Sequence, residues 1–289
     1  MKVLAQILSI WWLRILFFGL SNLTLIYVFL FVIKVDFPFA VVISLLLTSC
    51  MTEAFRAGSK FYNFGIGISR FTIRDILLGM LLSIVPMLLI LFFIMILKVP
   101  IFVNKSIEWR FLFEQAVNLL LLVLFEELVF RGIIFQAFIQ RYNPILVVIL
   151  FSFAFSLAHY DNIGITILAL VNIFLVNILF SLMYIRTLNL WLPISFHFFW
   201  NFGEATLLGS NISGYDYGLS VFQLNFLDMP EWLFGGFFGL ESGILTTVII
   251  ILSIFITIKF TTISPYIASN KFKVIYNESV IQESMFSTK

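Results

Sequence analysis

Apolar residues run through this chain in unbroken blocks separated by short polar stretches. A helix needs about 20 apolar residues to cross the ~30 Å hydrocarbon core of a bilayer. Eight blocks approach or exceed that length, at roughly 15–33, 37–55, 76–97, 111–140, 143–160, 164–185, 191–209 and 242–260. They lack the roughly ten-residue alternating segments of a transmembrane barrel. The pattern therefore predicts an all-α, polytopic transmembrane helical bundle of about eight spans. Met1 to Leu13, with Trp11 and Trp12, is expected to lie along the membrane interface. No small-residue cleavage site follows the first block, so a retained helix is expected and not a signal peptide.

Composition narrows the class. Of 289 residues, 62% are hydrophobic and 11% charged, with a mean hydropathy of +1.10. Soluble domains run near 45–50% apolar and about 25% charged, so too few charges remain here to clothe a soluble surface. A net charge of +2 gives no argument for a nucleic-acid partner. The single Cys50 excludes a disulfide framework and any cysteine metal cluster.

The few cations set an orientation. With the N-terminus in the cytoplasm, the inside segments hold Lys2, Arg14, Arg56, Lys60, Arg70, Arg74, Arg141, Arg186, Lys259, Lys271, Lys273 and Lys289. The outside segments hold Lys34, Lys98, Lys105 and Arg110. The stretch from Ser210 to Leu240 has no Lys or Arg and carries Asp216, Asp228 and Glu231. The positive-inside bias places that loop outside and both termini in the cytoplasm. The chain divides into N-terminal membrane helices (1–75), a membrane core (76–260) and a polar cytoplasmic tail (261–289).

Ionisable groups inside apolar spans are costly and need a partner, a wet cavity or a function. The fourth block contains Glu126-Glu127-Leu128-Val129-Phe130-Arg131-Gly132. Glu127 and Arg131 are four apart, so they share a helix face and can pair. Glu126 points about 100° away round the helix and has no such partner. The chain's two histidines lie in the fifth and seventh blocks, as Phe155-Ser156-Leu157-Ala158-His159 and His197-Phe198-Phe199-Trp200-Asn201. Glu126 lies 16 residues before Tyr142 and His159 lies 17 after it. In a continuous helical hairpin both stand about 24 Å from the turn and can meet; the depth of His197 matches less tightly. Asn172 and Asn177 are expected to make interhelical hydrogen bonds. Glu114 is expected at the outer mouth of a cavity.

A Glu, two His and an Asn converging in a membrane cavity suit hydrolysis. The carboxylate can take a proton from water, and a His with an Asn can donate to a developing oxyanion. Glu126, His159 and His197 would equally make a zinc set with an open position for water. The metal-free and zinc readings both stand at this point. H-E-x-x-H and G-x-S-x-G motifs are absent.

E-E-x-x-x-R at Glu126–Arg131, F-x-x-x-H at Phe155–His159 and H-x-x-x-N at His197–Asn201 occur in that order. Together they resemble the CAAX protease and bacteriocin-processing (CPBP, or Abi) family of intramembrane endopeptidases, which includes the CAAX prenyl protease (Ras-converting enzyme). The stretch Gly235–Gly243 resembles a segment that often precedes the last helix in bacterial members. The resemblance implies that Glu126 activates water, that His159 shares it or binds metal, and that His197 and Asn201 serve the oxyanion. Glu127 and Arg131 are the supporting pair. It further implies a hydrophobic or membrane-associated peptide substrate, and leaves zinc dependence open. Two other functions fit the same spans: a non-catalytic immunity or scaffold protein of this fold, and a transporter using the buried charges as a proton relay. Neither an inverted repeat nor paired broken helices appear in support of transport.

Overall fold

The computed structural model describes residues 2–56, 64–68, 71–224 and 229–261. Lys60, Arg70, Lys271, Lys273, Lys289 and Asp228, used above for orientation, lie outside the described residues. So does the polar tail beyond Thr261.

The described chain is an all-α bundle. A short helix α1 (Lys2–Ser9) leads into α2 (Trp11–Tyr27), which continues as a π-helical turn to Ile33. Trp11 thus belongs to the first long helix and packs edge-on against Phe138 and Tyr142. Trp12 follows it in the same helix. There follow α3 (Phe37–Phe55), α4 (Thr72–Ile96), α5 (Trp109–Arg131), α6 (Ile133–Arg141), α7 (Pro144–Ala158) and α8 (Ile167–Thr187). The chain ends in α9 (Trp191–Asn201, with a π turn to Leu207), α10 (Glu231–Phe234) and α11 (Ile244–Phe260). Trp11–Ile33, Phe37–Phe55, Thr72–Ile96 and Ile167–Thr187 are long and apolar enough to cross a membrane. α7 and α11 are apolar but shorter.

The expected continuous helix over 111–140 is broken at Gly132. Its ψ of −148° leaves the helical region. A Cβ there would stand 2.1 Å from the Leu128 carbonyl oxygen, so only glycine fits without a backbone shift. The Gln136 side chain covers the break: its Nε2 amide donates to the Phe64 carbonyl at 2.7 Å and to the Arg131 carbonyl at 3.0 Å. A carbonyl left over at the helix end is thereby satisfied. Gly132→Ala is expected to cost about 1–3 kcal/mol through forced displacement of this turn, read as a lower thermal midpoint in detergent.

The two largest apolar clusters unite most of the helices. One joins α4, α8, α9 and α11 through residues such as Ile90, Phe180, Phe196 and Ile250. The other joins α2, α3 and α5–α8 through Phe18, Leu45, Leu128, Phe135 and Val147. α4 and α9 approach closely at Gly79. A Cβ on Gly79 would stand 2.7–2.8 Å from the α9 backbone and Ser195, and the Ser195 hydroxyl donates to the Ile76 carbonyl at 2.7 Å. Small residues at helix contacts in lipid permit this packing, and here it fixes the helix that carries His197. On α7, Leu146, Leu150, Phe153 and Leu157 form an exposed stripe at helical spacing, as a lipid-facing surface requires.

The loops 97–108 and 208–224 meet in a two-stranded antiparallel pair, β1 (Phe102–Val103) with β2 (Phe222–Gln223).

Candidate active site

The α5 motif places two adjacent glutamates in different surroundings. Glu127 is fully buried. Its Oε1 accepts from Arg131 Nη1 at 3.0 Å and stands 3.0 Å from His197 Nδ1. Arg131, also fully buried, donates through Nη2 to Asn177 Oδ1, and Asn177 Nδ2 donates to the Ser152 hydroxyl at 3.0 Å. One arginine therefore ties α5 to α8 and α7. Its guanidinium lies 5.4 Å from the Phe155 ring centre and 5.1 Å from that of Phe180, in the range for cation–π attraction. Pairing within this shell avoids two uncompensated buried charges.

Glu126 is turned to an adjoining cavity. Its Oε2 stands 3.7 Å from His197 Nε2. The cavity encloses about 320 Å³ and is lined by Glu126, His159, His197 and Asn201 together with Tyr217 and Glu241. Phe125, Phe130, Phe155, Phe180 and Trp200 supply much of its apolar wall. All four residues expected at the reacting centre thus border one space.

His197 is fixed on three sides. Glu127 holds Nδ1, Glu126 faces Nε2, and Phe180 stacks on the ring at 4.9 Å between centres and 28° between planes. With Nδ1–H donated to Glu127, Nε2 is the nitrogen left for the cavity. His159 caps the C-terminus of α7, where Nδ1 lies 2.8 Å from the Phe155 carbonyl oxygen. Its Nε2 is then the free nitrogen. The four-residue spacing of F-x-x-x-H has a double use here. The Phe155 carbonyl anchors the imidazole, and the Phe155 ring reaches Arg131.

Glu126 and His159, expected to meet across the helical hairpin, do border the same cavity. Among the described residues no hydrogen bond or ion pair joins them, and His197 is the nearer histidine to Glu126. The break at Gly132 interrupts the segment expected as one continuous helix, and both residues still reach the cavity. Glu114 is not at the cavity: it is half exposed and paired with Arg110 at 2.7 Å. Asn172 and Asn177 do make interhelical bonds.

Three features escaped the sequence reading. Glu204, just beyond the H-x-x-x-N motif, is fully buried, with Oε1 3.3 Å from the Ser210 hydroxyl. An acid within an apolar block was a signal that could have found it. Tyr217 reaches the cavity from the loop, and Gln115 on α5 donates to its carbonyl. Burial and the nearby Glu126 and Glu241 carboxylates push its phenol up to about 12, so it remains a protonated donor at any working pH. Phe180, one of 37 phenylalanines, carries no distinguishing sequence signal.

Among the described residues, no three His, Cys, Asp or Glu side chains are grouped as ligands for a metal ion. Glu126, His159 and His197 share a cavity without forming such a set in this arrangement.

Residues 108–203 match the family model described as type II CAAX prenyl endopeptidase Rce1-like. The matched stretch runs from the start of α5 to two residues past Asn201 and contains all three motifs. No curated protein and no solved structure matches the chain.

Proposed function

We propose that this chain, a membrane protein carrying an Rce1-like domain over residues 108–203, is a CAAX-type intramembrane endopeptidase. It hydrolyses a peptide bond in a hydrophobic or lipid-associated peptide. The supporting observation is the division of labour between Glu126 and Glu127. One carboxylate faces a cavity large enough for a peptide segment, while its neighbour is consumed in holding Arg131 and His197.

Glu126 acts as general base, with His159 orienting the same water through its free Nε2. The water oxygen adds to the peptide carbonyl carbon as its proton moves to Glu126. The carbonyl oxygen gains negative charge and accepts hydrogen bonds from His197 Nε2–H and the Asn201 amide. To donate from Nε2 while Nδ1–H is bound to Glu127, His197 must carry both protons, and the flanking carboxylates are its counter-charges. Collapse of the tetrahedral intermediate breaks the C–N bond, and the proton on Glu126 passes to the leaving amine. The apolar walls keep bulk water out and strengthen these contacts.

Purified protein in detergent, offered internally quenched apolar peptides, is expected to cleave a subset of them. His159→Ala is expected to lower turnover by about tenfold or more through loss of water orientation. Cleavage at the same rate by both proteins would overturn the assignment and favour a non-catalytic membrane partner of this fold.

A further inference from the structure

Glu241 is a cavity-lining carboxylate that the reaction above does not use. It lies just before α11, in the Gly235–Gly243 stretch. Gly239, at φ +111°, turns the chain ahead of it, and a Cβ there would stand 1.9 Å from the Asn211 carbonyl oxygen. Asn172 on α8 pins the backbone by donating to the Glu241 carbonyl at 2.8 Å and the Gly243 carbonyl at 3.0 Å. The side chain is held at one oxygen. Oε2 accepts from the Ser213 backbone N–H at 2.8 Å and from the Ser213 hydroxyl at 2.6 Å.

These donors are neutral. They fix the carboxylate without cancelling its charge. No Lys or Arg lines the cavity; of its two carboxylates, Glu126 faces His197 at 3.7 Å, whereas Glu241 has no ion pair among the described residues. Two carboxylates therefore face one largely apolar space, and both act on Tyr217. The surrounding loop extends the same sign, since Ser210–Leu240 contains acids and no Lys or Arg. Tyr215 borders both the cavity and a second groove lined by Asp216. Asn201, which lines the same cavity, is 2% exposed, and its buried Oδ1 has no hydrogen-bond partner among the described residues. A ligand that satisfies these acceptors must bring N–H donors and positive charge.

We propose that Glu241 is a specificity-determining residue that receives a cationic group of the bound peptide, either a lysine or arginine side chain or a free amino terminus. This rests on the peptidase reading for its substrate class. The acidic wall correspondingly disfavours a peptide that places a carboxylate there.

The test uses the full chain in detergent micelles and fluorescent apolar peptides that differ at one position, Lys, Gln or Glu. Each is made with a free and an acetylated amino terminus. Binding is read by fluorescence anisotropy on the Glu126→Gln protein, and cleavage on protein with Glu126 intact. The lysine peptide is expected to bind about tenfold more tightly than the glutamate peptide, the scale of one close charge pair. Glu241→Gln should erase that preference and Glu241→Lys should reverse it. Ser213→Ala, which removes one hydrogen bond and no charge, should keep it. If the amino terminus is the cation, acetylation in place of the Lys-to-Glu exchange causes the loss. Equal binding of all peptides, binding of none, or an unchanged preference in Glu241→Gln overturns the proposal. A preference that follows Glu241 while no peptide is cut sustains it and removes the peptidase reading instead.

Discussion

Replacing Glu126 by Gln is expected to lower peptide turnover by about 10²–10⁴-fold, the usual contribution of a positioned general base, while leaving the fold intact. The amide keeps the shape of the side chain but cannot take the water's proton. The fold should tolerate the change because Glu126 is not part of the arginine network. Its nearest charged neighbour, His197, keeps Glu127 at 3.0 Å. Turnover of a quenched apolar peptide and the thermal midpoint in detergent, measured on the same sample, separate the two effects. Retained turnover would remove Glu126 from the reaction. A collapsed midpoint would show that it is structural.

Arg131 should give the opposite result. Arg131→Ala is expected to destabilise the protein by about 3–5 kcal/mol, because a buried Glu127 carboxylate then stands without its cation. Asn177 loses its bond to Arg131, and Phe155 and Phe180 lose the guanidinium between them. A double replacement, Glu127→Leu with Arg131→Met, removes both charges and should recover much of the stability. It should not recover turnover, since His197 Nδ1 no longer has the acceptor that orients the ring. Denaturation midpoints and peptide cleavage for the three proteins provide the check. Recovery of both properties by the double variant would mean that the pair only fills space.

The motif residues were legible because the membrane makes ionisable groups conspicuous. Glu126, Glu127, Arg131 and both histidines stand out against apolar blocks, and the i,i+4 pairing of Glu127 with Arg131 needs only helical geometry. The break at Gly132 was not legible, although Glu126 and His159 still reach one cavity. A glycine in a helix interior costs about 1 kcal/mol relative to alanine, yet glycine is common in membrane helices, so the residue alone does not announce a break. The break becomes evident only from the tertiary contact of Gln136 with the Phe64 carbonyl. Glu241 and Tyr217 reach the cavity from segments outside the long helices, where no local periodicity encodes their placement. Phe180 is set apart only by what α5 and α9 bring to its two sides.

The length of α7 has a consequence for the surrounding lipid. Its 15 residues measure about 22 Å, against ~30 Å of hydrocarbon in a typical bilayer. The stripe of Leu146, Leu150, Phe153 and Leu157 faces outward over that short length. Were α7 to span the bilayer, the lipid beside it would have to thin locally, which would lower the polar headgroups toward the end of α7, where His159 stands. On the proposed peptidase reading, bilayer thickness would then be a variable of the reaction, with a mismatch penalty in thicker membranes.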